Sequence, residues 1–120
     1  MEPTQLNDSE IKIMEVLWRE GPLPAKELAL RLGRSTGWNK NTTYTLLRRL
    51  LEKGALSREE PGFLCRALVT RAQVERAQSA ALADKLFAGS ASRLLAALCG
   101  GKRLPPEEVA RLQRMIDEMK

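Results

Sequence analysis

Glycines at 21, 33, 54 and 62 cut the first half of the chain into short pieces, and the pattern between them leaves few folds open. LNDSEIKIMEVLWRE opens with a helix start: Asn7 as N-cap, Glu10 placed to close a capping box, and Leu6 placed to staple against Ile11. Ile11, Met14, Leu17 and Trp18 then recur at helical spacing, predicting a helix over 8–20 that stops at Gly21-Pro22. After an extended GPLP, AKELALRLG sets Leu28 and Leu32 one turn apart and predicts a two-turn helix closed by Gly33. Asn39 caps a third helix that runs to Lys53 and ends at Gly54. The runs ALSREE and FLCRALV flank Pro61-Gly62, a turn signal, and read as a hairpin over 55–69.

Helix, short helix, helix and two-stranded hairpin is the element order of a winged helix-turn-helix domain. Beyond it the texture changes. TRAQ is a second capping-box opening, followed by an alanine-rich run to Ala88 read as amphipathic. Gly89 punctuates it, ASRLLAALC supplies a short apolar helix, and PEEVARLQRMIDEM a last one, with Val109, Leu112, Ile116 and Met119 at heptad-like spacing. Such helices cannot enclose their own apolar stripes, so the economical arrangement packs them on a second copy of the chain. The expected fold class is therefore mainly α with a small β-hairpin: a winged helix domain over 1–69 and a helical dimerisation region over 70–120.

The third helix carries the candidate site. At 100° per residue, Thr43, Leu46, Leu47 and Leu50 share one face, and Asn41, Thr42, Thr45, Arg48, Arg49 and Glu52 share the other. Thr42, Thr45 and Arg49 form one continuous strip. An α-helix fits the DNA major groove and brings its first two turns nearest the base edges. Short Thr and Asn side chains there suit base hydrogen bonds or a thymine methyl, and an arginine further along reaches guanine or phosphate. Trp38 and Lys40 flank the helix start, where free N–H groups favour a phosphate, and Arg58 on the hairpin is placed to follow the adjacent backbone. Seven cations lie between Arg31 and Arg58 against the single anion Glu52, so this stretch carries +6 while the whole chain carries +5. A solvated basic face has the same composition, and a protein-interaction module with an acidic partner remains the alternative to DNA.

Other functions find little support in the composition. The chain has no histidine and only two cysteines, Cys65 and Cys99, with no C-x-x-C or C-x-C pair. Zinc and copper sites, a disulfide framework and histidine-dependent catalysis are therefore poor fits, and no metal, cofactor or enzymatic activity is expected. No run approaches the roughly 18 apolar residues of a membrane span, and the polar start lacks a signal-peptide core, so a cytoplasmic location is expected. Ordinary packing is the expected role of both cysteines.

The motifs S-E-I-K-I-M-E-V-L-W and W-N-K-N-T-T-Y-T-L-L-R-R-L-L-E-K-G-A-L, the hairpin and the final E-E-V-A-R-L-Q-R-M-I helix resemble the BlaI/MecI/CopY family of bacterial repressors over nearly the whole chain. The resemblance implies a homodimer whose winged helices bind a palindromic operator, with TACA/TGTA half-sites in the penicillinase-repressor branch. Its recognition contacts carry over onto Thr42, Thr45 and Arg49. A lysine usual in the first turn is Asn41 here, with Lys40 beside it as a substitute. The resemblance also implies induction by proteolysis in the dimerisation region at an Asn-Phe bond, initiated by a membrane sensor-protease. The aligned position, Ala97-Leu98, does not keep that pattern; local opening beside Gly100-Gly101 would permit clipping there, and dimer packing is that helix's other role. The C-x-C motif of the copper-responsive branch is absent.

Overall fold

The computed structural model describes residues 2–100, 105–108, 110–111 and 114. Its elements follow the order α1 (Asp8–Glu20), β1 (Leu23–Pro24), α2 (Ala25–Thr36), α3 (Lys40–Lys53), β2 (Leu56–Glu59), β3 (Leu64–Ala67), α4 (Arg71–Leu86) and α5 (Ala91–Gly100). Chain contacts divide it into two compact units, Met1–Gln78 and Ser79–Lys120.

The predicted start of α1 is present in full. Asn7 Oδ1 accepts the Glu10 N–H at 2.8 Å, and Glu10 Oε1 accepts the Asn7 N–H at 2.9 Å. Leu6 is buried and Ile11 packs against the same core, as a hydrophobic staple requires. The core of the first unit gathers Ile13, Met14 and Leu17 from α1, Leu28 and Leu32 from α2, and Leu46, Leu47 and Leu50 from α3. Leu56 and Cys65 close it from the strands, and Val74 of α4 completes it. Full burial of each leucine contributes roughly 1.5–3 kcal/mol.

Two boundaries differ from the sequence reading. The second helix passes through Gly33 and ends at Thr36, because the left-handed residue that terminates it is Gly37 (φ 80°), whose N–H donates to the Gly33 carbonyl at 3.1 Å. Arg34, Ser35 and Thr36 add no apolar residue, so periodicity ended at Leu32 while the helix did not. The hairpin also gains a third strand. Leu23 pairs with Cys65 and Pro24 with Leu64, giving an antiparallel sheet of order β1-β3-β2. A proline in so short a strand is tolerated because β1 lies at the sheet edge.

The hairpin itself pairs Leu56 with Ala67 and Glu59 with Leu64 across a turn containing Pro61 and Gly62 (φ 85°). The predicted box at Thr70 forms: its N–H donates to Gln73 Oε1 at 2.8 Å, and its hydroxyl accepts the Gln73 N–H at 3.1 Å. The first turns of α4 are tied to the first unit. Trp18 Nε1 donates to the Val69 carbonyl at 2.8 Å, the Arg71 guanidinium lies 5.0 Å from the Trp18 ring centre, and Gln78 Nε2 donates to the Leu6 carbonyl at 2.8 Å. The amphipathic stripe expected along α4 is not there. Leu82 and Leu86 are exposed and turned about 80–120° away from buried Val74 around the helix, and alanine fills most other positions.

In the second unit, Ser90 Oγ accepts the Arg93 N–H at 3.1 Å and caps α5. Residues 106–108, 110–111 and 114 are helical, where a last helix was predicted. No helix among the described residues is long and apolar enough to cross a membrane.

Candidate nucleic-acid interface

The interface begins at Asn39, held extended at φ −76° and ψ 165°. Its Oδ1 accepts two hydrogen bonds from Thr42, one from the backbone N–H at 2.8 Å and one from the hydroxyl at 3.2 Å. The cap offsets the poor helix propensity of the following Asn and Thr residues. It also has a chemical effect: with its proton committed to Asn39, the Thr42 hydroxyl offers lone pairs and a methyl group to the outside.

Thr43, Leu46, Leu47 and Leu50 are buried, and Lys40, Asn41, Thr42, Thr45, Arg48, Arg49 and Glu52 are exposed. The helix is therefore oriented as its periodicity predicted, with the Thr42, Thr45 and Arg49 strip facing outward. Thr43 is the exception among the polar residues; it is fully buried and its hydroxyl finds no hydrogen-bond partner. Trp38 is half-buried against the core, with Lys12 Nζ 6.0 Å from its ring centre. Gly33, Thr36 and Trp38 meet at the α2–α3 corner, where the Thr36 hydroxyl donates to the Leu32 carbonyl at 2.6 Å and accepts the Trp38 N–H at 3.2 Å.

The basic stretch is less uniform than its composition. Arg31 is held by Glu20 and, at 3.0 Å, by Glu27; Lys53 Nζ lies 2.6 Å from Glu10 Oε1; and Arg58 Nε lies 2.6 Å from Glu60 Oε1. The Arg31 guanidinium holds the Glu20 carboxyl below its usual range, and Glu20 and Glu27 raise Arg31 in return. Among the described residues, Arg34, Lys40, Arg48 and Arg49 are the cations of this stretch with no carboxylate in salt-bridge range. All four belong to α3 or to the end of α2.

An aromatic bridge that the sequence did not suggest joins α3 to the hairpin. Tyr44 and Phe63 meet edge to face with ring centres 6.2 Å apart. Lys40 Nζ lies 5.8 Å from the Tyr44 ring, and the Arg58 guanidinium lies 4.0 Å from the Phe63 ring. Cations thus cap both ends of the bridge. Phe63 follows the turn, at φ 52°, so no strand periodicity marks it. Arg66 on β3 pairs with Glu59 on β2 at 2.8 Å, which leaves the hairpin close to neutral.

The remaining candidates lie elsewhere. Ala97 is exposed on α5, and Leu98 follows it on the same helix. Val109, Leu112, Ile116 and Met119 fall outside the described residues. Cys65 is fully buried on β3, and burial pushes its thiol up to about 11. Among the described residues no group of three His, Cys, Asp or Glu side chains gathers as a metal site.

A helix whose inner face is core and whose outer face is short polar chains and arginine, beside a wing of three strands, defines a winged helix-turn-helix protein. The penicillinase repressor family model matches residues 6–118, and the chain belongs to that family, whose members are DNA-binding regulators and not enzymes. The chain is 24% identical to the penicillinase repressor of Bacillus licheniformis over 118 residues, spanning 97% of this chain and 92% of the relative. It is 26% identical over 114 residues to an uncharacterised 16.5 kDa protein of Latilactobacillus sakei, covering 93% and 78% of the two chains. Among solved structures it is similar to the DNA-binding domain of the repressor BlaI, with a TM-score of 0.55, 28% identity, and coverage of 59% of this chain and 90% of that one. The Bacillus licheniformis BlaI monomer in complex with the blaP half-operator is similar at a TM-score of 0.52 and 28% identity, over 57% and 85% of the chains.

Proposed function

We propose that this DNA-binding repressor acts as a homodimer on a palindromic operator, with residues 1–69 reading DNA and residues 70–120 holding the two copies together. The observation that carries the reading is the outward strip of Thr42, Thr45 and Arg49 on a helix whose opposite face is buried. Support comes from the BlaI relative, solved on a half-operator. In the bound state Thr42 and Thr45 contact base edges, Arg49 reaches guanine or phosphate, and Asn41 and Arg48 flank them. Trp38 and Lys40 contact the backbone at the helix start, and Arg58 contacts it from the wing. Val109, Leu112, Ile116 and Met119 form the dimer seam.

Release follows from breaking the dimer. Proteolysis near Ala97-Leu98, set off through a membrane sensor-protease, is the route the family resemblance suggests, and Ala97 is exposed on its helix. The reading is tested by gel shift on the promoter of the protein's own operon. Arg49→Ala should cost about 1–3 kcal/mol of specific binding, whereas Arg76→Ala on exposed α4 should cost little. Equal binding by the two variants would show that the strip does not read DNA.

A further inference from the structure

Arg58 has the position of a backbone contact, yet its Nε is already engaged within the wing. Its Nε donates to Glu60 Oε1 at 2.6 Å, and its guanidinium lies 4.0 Å from the Phe63 ring centre. Glu60 is pinned in turn, since its second oxygen accepts the Phe63 N–H at 3.3 Å. The Arg58 guanidinium and the Phe63 N–H hold the Glu60 carboxyl below the usual carboxylate range, so it is ionised at neutral pH. Phe63 also meets Tyr44 of α3, so the guanidinium sits over a ring that is itself braced against the reading helix. Both charged groups are about half-exposed, and a phosphate can reach them.

A carboxylate and a phosphate offer arginine the same kind of acceptor. The Phe63 ring, 4.0 Å from the guanidinium carbon, holds that end of Arg58 in place whichever acceptor it meets. The pair is weak enough to exchange, because an exposed ion pair contributes only about 0.2–1 kcal/mol. We infer that Glu60 is an internal stand-in for a DNA phosphate, a latch that holds Arg58 on its aromatic platform and yields it to the backbone when the wing docks. The inference rests on the DNA-binding reading above and deepens it. It makes the wing contact conditional: away from DNA the wing is neutral and long-range attraction is left to the cations at the reading helix, and the Arg58–phosphate contact forms only once the wing docks on a duplex.

Arg66–Glu59 supplies an internal control, a second ion pair of the same hairpin, 2.8 Å long and similarly exposed, but joined across the strands and not stacked on the platform. The experiment measures binding of the full chain to a duplex of random sequence by fluorescence anisotropy across a salt series. Backbone contacts are independent of sequence, so no operator need be known. Arg58→Ala should lower the slope of log K against log salt by about 0.9, the share of one phosphate. Glu60→Gln should tighten binding about two- to fivefold, the range of an exposed pair, and this gain should vanish in the Arg58→Ala background. Glu59→Gln removes the same charge from the same wing and should give an equal, small change in both backgrounds. Equal tightening by Glu60→Gln with and without Arg58 would mean simple charge repulsion and would overturn the latch, as would no tightening at all. An unchanged salt slope in Arg58→Ala overturns it too. Failure of the wild-type chain to bind any duplex would refute instead the DNA-binding reading on which it rests.

Discussion

Lys53→Met is expected to be among the most damaging single changes outside the apolar core. Glu10 is fully buried; its Oε1 takes the Asn7 N–H and the Lys53 ammonium, and its Oε2 has no partner. Lys53 also donates to the Gln5 carbonyl at 2.9 Å, so it ties the last turn of α3 to the chain before α1. Removing the ammonium leaves a buried carboxylate with one backbone N–H for company, which costs about 3–5 kcal/mol. A unit the size of Met1–Gln78 has a total stability of only about 4–12 kcal/mol. The variant should therefore unfold at much lower urea, with its midpoint shifted and its m-value unchanged. Glu10→Gln in the same chain keeps the acceptor for the Asn7 N–H and removes the orphaned charge, so the double variant should recover most of the loss. Urea titration followed by circular dichroism on the four chains of the cycle measures this. A loss below about 1 kcal/mol for Lys53→Met, or a double variant no better than the single, would refute the argument that charge desolvation dominates here.

Thr43→Val should raise stability by about 1 kcal/mol, because it replaces a buried hydroxyl without a partner by a methyl of the same shape; thermal melts read the change. The Cys65 thiol, pushed up to about 11 by burial, should resist alkylation in a folded Cys99→Ser chain and react at once in denaturant. Folding raises that thiol, so the unfolded chain gives up its proton first. Stability should then fall as pH rises past the ordinary thiol value of about 8.5, which urea titrations at alkaline pH will show.

Local chemistry could be read directly from the residues; remote partnership could not. The Asn7–Glu10 box, the Asn39 cap and the stop at Gly54 each depend on residues a turn apart, and each formed as predicted. The orientation of α3 followed from four buried positions at helical spacing. The Lys53–Glu10 pair spans 43 positions, and nothing near Lys53 distinguishes it from the cations that stay uncommitted. Counting charge therefore overstated the basic patch, since Arg31, Lys53 and Arg58 are neutralised by carboxylates the count placed elsewhere or ignored. Strand β1 escaped for a similar reason: a Leu-Pro pair becomes a strand only because β3 offers it an edge. In α4 the spacing of apolar residues suggests a stripe, but alanine has too little surface to define one. The Tyr44–Phe63 bridge depends on a left-handed residue after the turn, a conformation that periodicity does not report.

On α3 the residues that hold the fold and the residues that face outward are interleaved and separable. Thr42, Thr45 and Arg49 lend nothing to the core, so exchanging them for other helix-compatible residues should change stability by no more than about 0.5 kcal/mol. Thr43, Leu46, Leu47 and Leu50 alternate with them and are fixed by packing. If the outward strip reads DNA as proposed, a lineage can retarget its preferred sequence one residue at a time with every intermediate still folded. Asn39 is where the two demands meet. Its single oxygen both starts the helix and sets the Thr42 hydroxyl, so a change at Asn39 made for the fold also alters the outward face of Thr42.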